Sequence, residues 1–186
     1  YYDYEKEILE ASVYAPDHPG SFASISGAIS LMGASIVDAK IQTLNNGMAL
    51  DSFLVQSLRS SGKTKNIDVH RLRSKVEDAI QGKISVSKEL SKARQSIMLS
   101  RSMAFKIPPG VLIDNNASQN YTVIEINGRD RPGLLYDVTS VLTKMGIQIS
   151  SSHISTYGER VVDVFYVKDI FGLKIISVSK LKQVRT

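Results

Sequence analysis

The chain contains no cysteine and no tryptophan. Without thiols there can be no disulfide, no zinc ribbon and no thiol nucleophile. Histidine is almost as scarce: His18, His70 and His153 stand far apart, with no HxxxH or HxE spacing to hold a metal. Long apolar runs are missing, and none approaches the ~20 residues that cross a bilayer, so no membrane partner is expected. The opening Tyr1-Tyr2-Asp3-Tyr4-Glu5-Lys6-Glu7 lacks the basic-then-apolar order of a signal peptide. A cytoplasmic location is therefore expected, and the absence of an initiator Met points to a longer parent chain. There is no Gly-x-Ser-x-Gly elbow and no convergent carboxylate or histidine pair for acid–base work, so this chain is not expected to be an enzyme.

What is present suits one or two small domains: 186 residues, 42% apolar. The net charge of +5 is unevenly placed. Between Arg59 and Gly110 there are 12 Lys/Arg against 4 Asp/Glu, a local +8 that leaves −3 for the rest. The basicity belongs to a middle connector. Such a segment could touch nucleic acid or an acidic protein face, but a solvated linker helix accounts for it.

The dominant feature is an internal repeat. An offset of 113 lays Asp17-His18-Pro19-Gly20 on Asp130-Arg131-Pro132-Gly133, and Gly33 on Gly146. It also matches Ile36 with Ile149, Ile41 with Ile154 and Thr43 with Thr156. One deletion in a turn shortens the offset to 112, which pairs Asp51 with Asp163, Phe53 with Phe165 and Val55 with Val167.

Each copy reads alike. A strand (Ile8 to Tyr14; Tyr121 to Asn127) meets Asp-x-Pro-Gly, where proline fixes φ and glycine frees the backbone. A helix follows, Ser21 to Leu31 or Leu134 to Lys144, with apolar residues at helical spacing and Gly33 or Gly146 as C-cap. A long strand (Ala34 to Leu44; Ile147 to Tyr157) turns at Asn45-Asn46-Gly47 or Gly158-Glu159 into a returning strand (Met48 to Ser57; Arg160 to Lys168). This order predicts an α+β chain of two ferredoxin-like βαββαβ units. The first is completed by a helix after Asn66, carrying Ile67, Leu72, Val76, Ala79 and Ile80, and by a strand near 103–107. Val111-Leu112-Ile113 is a further short strand. The second copy has only Gly172 to Thr186 left, room for part of a helix with Ile175, Ile176, Val178 and Leu181 apolar. It lacks its last strand, or borrows one from the connector. The expected divisions are 7–82, a basic connector 83–118, and 119–186.

Two such copies, each opened by Asp-x-Pro-Gly and closed by glycine, resemble a tandem pair of ACT domains. The runs Tyr121 to Thr139, His153 to Asp169 and Phe171 to Lys174 are similar to the C-terminal regulatory region of the bacterial bifunctional PII uridylyltransferase/uridylyl-removing enzymes, and the likeness covers nearly the whole chain. The resemblance implies nucleotidyltransferase and HD-type phosphohydrolase domains in the parent, with any Mg2+ belonging to them. Here no Gly-Ser pair precedes an Asp-x-Asp couple and no His is followed by Asp. No cofactor is therefore expected in this chain. Its implied role is to report glutamine, or a related amino acid, and to switch the parent between UMP transfer to the PII protein and its removal. Pairing of ACT units within or between chains is implied as well. The alternatives are an ACT pair of another amino-acid enzyme or a stand-alone sensor. RNA binding, which shares the topology, needs a basic-Gly-aromatic strand motif that Val161 to Val167 lacks, so no nucleic acid is expected.

A free amino acid needs donors for its carboxylate and acceptors for its ammonium. First-turn helix amides are unpaired and favour anions; these are Gly133, Leu134 and Leu135 in the second copy and Gly20, Ser21 and Phe22 in the first. Asp130 and Asp17 stand close enough to accept from an ammonium. Asn127 and Gln148 could pair with a glutamine amide, and Arg131 could hold a carboxylate. Each has a plainer role too. The acids can be N-caps, Leu134 and Leu135 core, Gln148 solvated, and Arg129 and Arg131 surface residues.

Overall fold

The computed structural model describes residues 2–3, 8–57, 67–98, 108–157 and 160–185. In chain order the elements are β1 (Tyr2–Asp3), β2 (Ile8–Pro16), α1 (Ser21–Leu31), β3 (Ala34–Lys40), β4 (Met48–Ser57), α2 (Val69–Ile80) and α3 (Val86–Met98). There follow β5 (Gly110–Asp114), β6 (Thr122–Arg129), α4 (Leu134–Lys144), β7 (Ile147–Tyr157), β8 (Arg160–Asp169) and α5 (Val178–Val184). The strand expected over 103–107 and the Gly158-Glu159 turn lie outside the described residues.

Among the described residues the strands form one eight-stranded sheet in the order β1-β2-β4-β3-β7-β8-β6-β5. The fold is the expected α+β pair of ferredoxin-like units, each one half of this sheet. They join edge to edge by antiparallel pairing of β3 with β7, where Asp38, Ala39 and Lys40 face His153, Ser152 and Ser151. The offset of 113 carries Ala39 onto Ser152, so an approximate two-fold axis passes through that pair. Pairing two edges removes two rows of unsatisfied backbone groups at once.

The second unit does borrow its edge. Gly110 to Asp114 pair antiparallel with Asn127 to Val123, filling the place beside β6 that a strand after α5 would take. In the first unit β1 holds the equivalent place beside β2.

One face of the sheet carries the core. Phe53 and Phe165, equivalent by the repeat, are 1% and 0% exposed; burying such a ring contributes roughly 1.5–3 kcal/mol. Val55 and Val167 lie beside them, also fully buried. Helices α1 and α4 pack on this layer and against each other. Their contact is close because Gly27 presents no side chain. A Cβ there would stand 2.2 Å from Val86 Cγ1 and 2.8 Å from Tyr136 Cδ2.

Three expectations need correction. The connector holds more than a solvated helix: α3 buries Val86 and Leu90 against α1 and the second unit. The strand from Ala34 ends at Lys40 rather than Leu44, with a register shift between Ile36 and Asp38. Beyond it the Ile41 amide bonds to Ser150 O, and Thr43 makes only an isolated bridge to Ala49. Ile175 precedes α5 instead of lying in it. It is 1% exposed and held as a plug, its amide donating to Thr122 Oγ1 and its carbonyl accepting from Asn115 Nδ2. No helix among the described residues is long and apolar enough to cross a membrane.

Alanine at an exposed glycine in a helix usually stabilises by up to ~1 kcal/mol. Gly27→Ala is expected to destabilise instead, by about 1–3 kcal/mol through overpacking. The midpoint of urea unfolding measures it, and an unchanged or raised midpoint would contradict the packing described.

Candidate ligand-binding site

The two-fold relation sets the Pro-Gly turn of each unit beside the first helix and following strand of the other. At the second-unit turn this leaves a cavity of about 200 Å³. One wall is Ser26 and Ser30 of α1 with Ala34, Ser35 and Ile36 of β3; the other is Asp130 to Leu135 with Ile154, Val161 and Asp163. The offset gives the matching positions around the Asp17–Phe22 turn as Thr139, Thr143, Ile147, Gln148 and Ile149. Each of the first four is larger than its counterpart, so the small side chains of α1 and β3 are what leave room at the second turn.

The turn itself is firmly held. Leu134 N donates to Arg131 O at 3.0 Å, and Ser21 N to His18 O at 3.1 Å in the first copy. Gly133 sits at φ +74°, a left-handed conformation that glycine adopts without strain. Its amide, a candidate anion donor, is met by Ser30 Oγ at 2.9 Å. Arg94 of α3 donates to Pro132 O at 3.0 Å and Gly133 O at 3.1 Å, and its guanidinium pairs with Asp137 at 3.0 Å. Arg131 pairs with the same Asp137 oxygen at 2.6 Å. The first copy differs: Thr143, the equivalent of Ser30, gives its hydroxyl to Thr139 O at 2.8 Å, and Asp17 accepts from Thr43 Oγ1 at 2.7 Å.

The candidate residues thus divide. Asp130, Arg131, Gly133, Leu134 and Leu135 come together around the cavity. Asn127 lies on the opposite sheet face, donating to Glu125 at 2.7 Å and accepting from Arg160 at 3.2 Å. Gln148 is exposed and outside the lining. Phe22 is core, its ring 5.7 Å from that of Phe53, and Gly20 and Ser21 belong to the other turn.

Sequence reasoning missed Ser30, Ser35 and, above all, Asp163. Asp163 is 2% exposed, and its Oδ1 has no hydrogen-bond partner among the described residues. Burial, followed by the nearby Asp130 charge, pushes its pKa up to about 7; a bond from the Ser155 backbone pulls less strongly the other way. Asp51 repeats this: 3% exposed, Oδ1 unpartnered among the described residues, pKa raised to about 6 by burial, with Asp17 adding to the rise. Among the described residues no group of three or more His, Cys, Asp or Glu is placed to hold a metal.

Residues 117–186 match the family model described as the ACR family N-terminal ACT domain. This segment is an ACT domain. The first unit repeats its sequence and topology. Over nearly all of its length the chain is also similar to larger proteins. It is 50% identical to the bifunctional uridylyltransferase/uridylyl-removing enzyme of Azospirillum brasilense over 98% of the chain and 20% of that protein. It is 48% identical to that of Rhodospirillum rubrum, over 98% of the chain and 19% of that protein. The chain thus spans about one fifth of the curated relatives it matches. Among solved structures, an unknown protein from Galdieria sulphuraria is a loose likeness, 19% identical over 96% of this chain and 91% of that one with a TM-score of 0.32.

Two outcomes follow for the two turns and the buried acid. A Cβ at Gly133 would stand 2.6 Å from Arg94 Nη2 and 2.8 Å from Leu90 Cδ1, whereas at Gly20 the nearest atom, Thr143 Cγ2, is at 3.8 Å. Gly133→Ala is therefore expected to cost roughly 1–3 kcal/mol more than Gly20→Ala, through overpacking added to the strain both share. Equal losses of urea midpoint would contradict this geometry. The second outcome concerns pH. A carboxyl whose pKa is raised on folding retains a proton that the unfolded chain releases, so stability falls as pH climbs from about 4 to about 7. Asp163→Asn should flatten that decline across pH 4–8; an unaltered slope would show that the buried acid does not cause it.

Proposed function

We propose that the chain is the glutamine-sensing ACT region of a cytoplasmic bifunctional uridylyltransferase/uridylyl-removing enzyme, setting the balance between UMP transfer to the PII protein and its removal. The units are assigned to 7–82 and 119–186, with the basic connector 83–118 between them. The observation that carries the reading is a cavity walled half by each unit. A ligand there touches α1 and β3 on one side and the Pro-Gly turn on the other, so its binding energy depends on how the two units sit.

The chemistry fits a small zwitterion. Leu135 offers a first-turn amide of α4, where an anion is favoured. Hydroxyls of Ser26, Ser30 and Ser35 suit a neutral amide. Asp130 and Asp163 would repel a second ligand carboxylate, which favours glutamine over glutamate. Arg94 bonds the turn directly and lies on α3, so the connector is the element placed to feel a change there. The similarity to the uridylyltransferase/uridylyl-removing enzymes supplies the parent.

Calorimetry and thermal melting with each amino acid test this reading. Glutamine should give saturable heat and stabilise by about 2.7 kcal/mol at one hundred times its Kd, with glutamate much weaker. Absence of heat and of any melting shift with glutamine would overturn it.

A further inference from the structure

We infer that Asp163 and Ser30 read the neutral side-chain carboxamide of the bound amino acid, Asp163 Oδ1 accepting from its N–H2 and the Ser30 hydroxyl donating to its carbonyl. This rests on the amino-acid reading and names the residues that would set glutamine apart from its acid and its esters. Asp163 lines the cavity and is buried, and its Oδ1 has no hydrogen-bond partner among the described residues. A native fold rarely leaves a buried carboxyl oxygen unpaired, because the lost hydration goes uncompensated. That oxygen calls for a donor.

Nothing around it calls for a charge. Asp130 already has an interaction of its own within the protein. Arg94 and Arg131 converge on one Asp137 oxygen, at 3.0 Å and 2.6 Å. The α1 and β3 wall is uncharged, made of Ser26, Ser30, Ala34, Ser35 and Ile36. Burial, with the Asp130 charge adding to it, pushes the Asp163 pKa up to about 7, so charge is costly at this point. A neutral N–H satisfies the oxygen without bringing in a further charge to desolvate.

The serines say which neutral group fits. Ser30 Oγ receives the Gly133 amide at 2.9 Å, which leaves its own proton to give. Ser26 gives its proton to Ala23 O at 2.9 Å and keeps lone pairs to accept with. The lining thus offers a hydroxyl donor in Ser30 and acceptors in Ser26 Oγ and Asp163 Oδ1. A primary carboxamide carries the complement, one carbonyl and two N–H groups. A carboxylate or an ester has no N–H.

Calorimetry on the intact chain at pH 8, where Asp163 is mainly carboxylate, compares glutamine with glutamic acid 5-methyl ester. The ester keeps the neutral carbonyl and loses the N–H2. The wild type should bind it about 10- to 100-fold more weakly, the span of a lost hydrogen bond to a charged group. Asp163→Leu, apolar and similar in shape, should weaken glutamine and bring the two ligands to parity. Ser30→Ala should weaken both ligands alike, since both carry the carbonyl. Asp51→Leu, the matched buried acid of the other unit, should keep the wild-type preference. If the wild type binds glutamine and ester equally, Asp163 does not read the amide, although the sensing reading stands. A preference kept by Asp163→Leu, or lost in Asp51→Leu instead, overturns the assignment as well. If the wild type takes no amino acid from a full panel, the sensing reading itself fails and this one falls with it. Near-ultraviolet circular dichroism separates lost binding from lost folding in the variants, and the wild-type comparison stands without them.

Discussion

The antiparallel contact between β3 and β7 is the constraint from which the rest of this molecule follows. Three facing residue pairs turn two four-stranded half-sheets into one, and an axis through Ala39 and Ser152 relates the halves. Once that axis is fixed, α1 and α4 must lie side by side on the same face, and each Pro-Gly turn must abut the other unit's helix. Gly27 allows the helices to approach, and Val86 of α3 fills the space against it. Neither half could build the cavity by itself, since its walls come from both sides of the seam.

Near-symmetry with unequal side chains then makes the two turns different. Ser30 and Thr143 occupy equivalent places, yet one hydroxyl reaches across to Gly133 and the other returns to its own helix. Thr can bond the carbonyl four residues back in a helix without cost to its rotamer. Ala34 and Ser35 against Ile147 and Gln148 complete the contrast. Arg94 adds a third party at the second turn only, linking it to α3 through two carbonyls and Asp137. Whatever moves Pro132 and Gly133 must therefore move or break that link.

Local signals made α1 and α4 legible to the residue, because Pro-Gly and glycine punctuate both ends. The returning strands were equally clear. Where a side chain's partner lies across the seam, sequence pattern has no purchase: Ser30 and Ser35 look like ordinary polar residues until the other unit is present. The connector's composition suggested a solvated helix, but Val86 and Leu90, four apart, already formed one apolar face. Asp163 had the most readable missed signal. In Asp51-x-Phe53-x-Val55 and Asp163-x-Phe165-x-Val167, period-two alternation puts the acid on the same face as two core residues. An acid placed there in both copies announces a buried carboxyl. Asn127 and Gln148 were suggested by chemistry alone; alternation along β6 sends Asn127 to the far face, and the two-fold sends Gln148 to the other turn.

A backbone amide titration of the isotope-labelled chain with glutamine would speak most directly to a site shared between units. Concerted shifts at Ser30, Ser35 and Ile36 on one side and at Gly133, Leu135 and Asp163 on the other, all following one binding curve, are the predicted result. Shifts confined to a single unit, or following two unrelated curves, would contradict a ligand held across the seam.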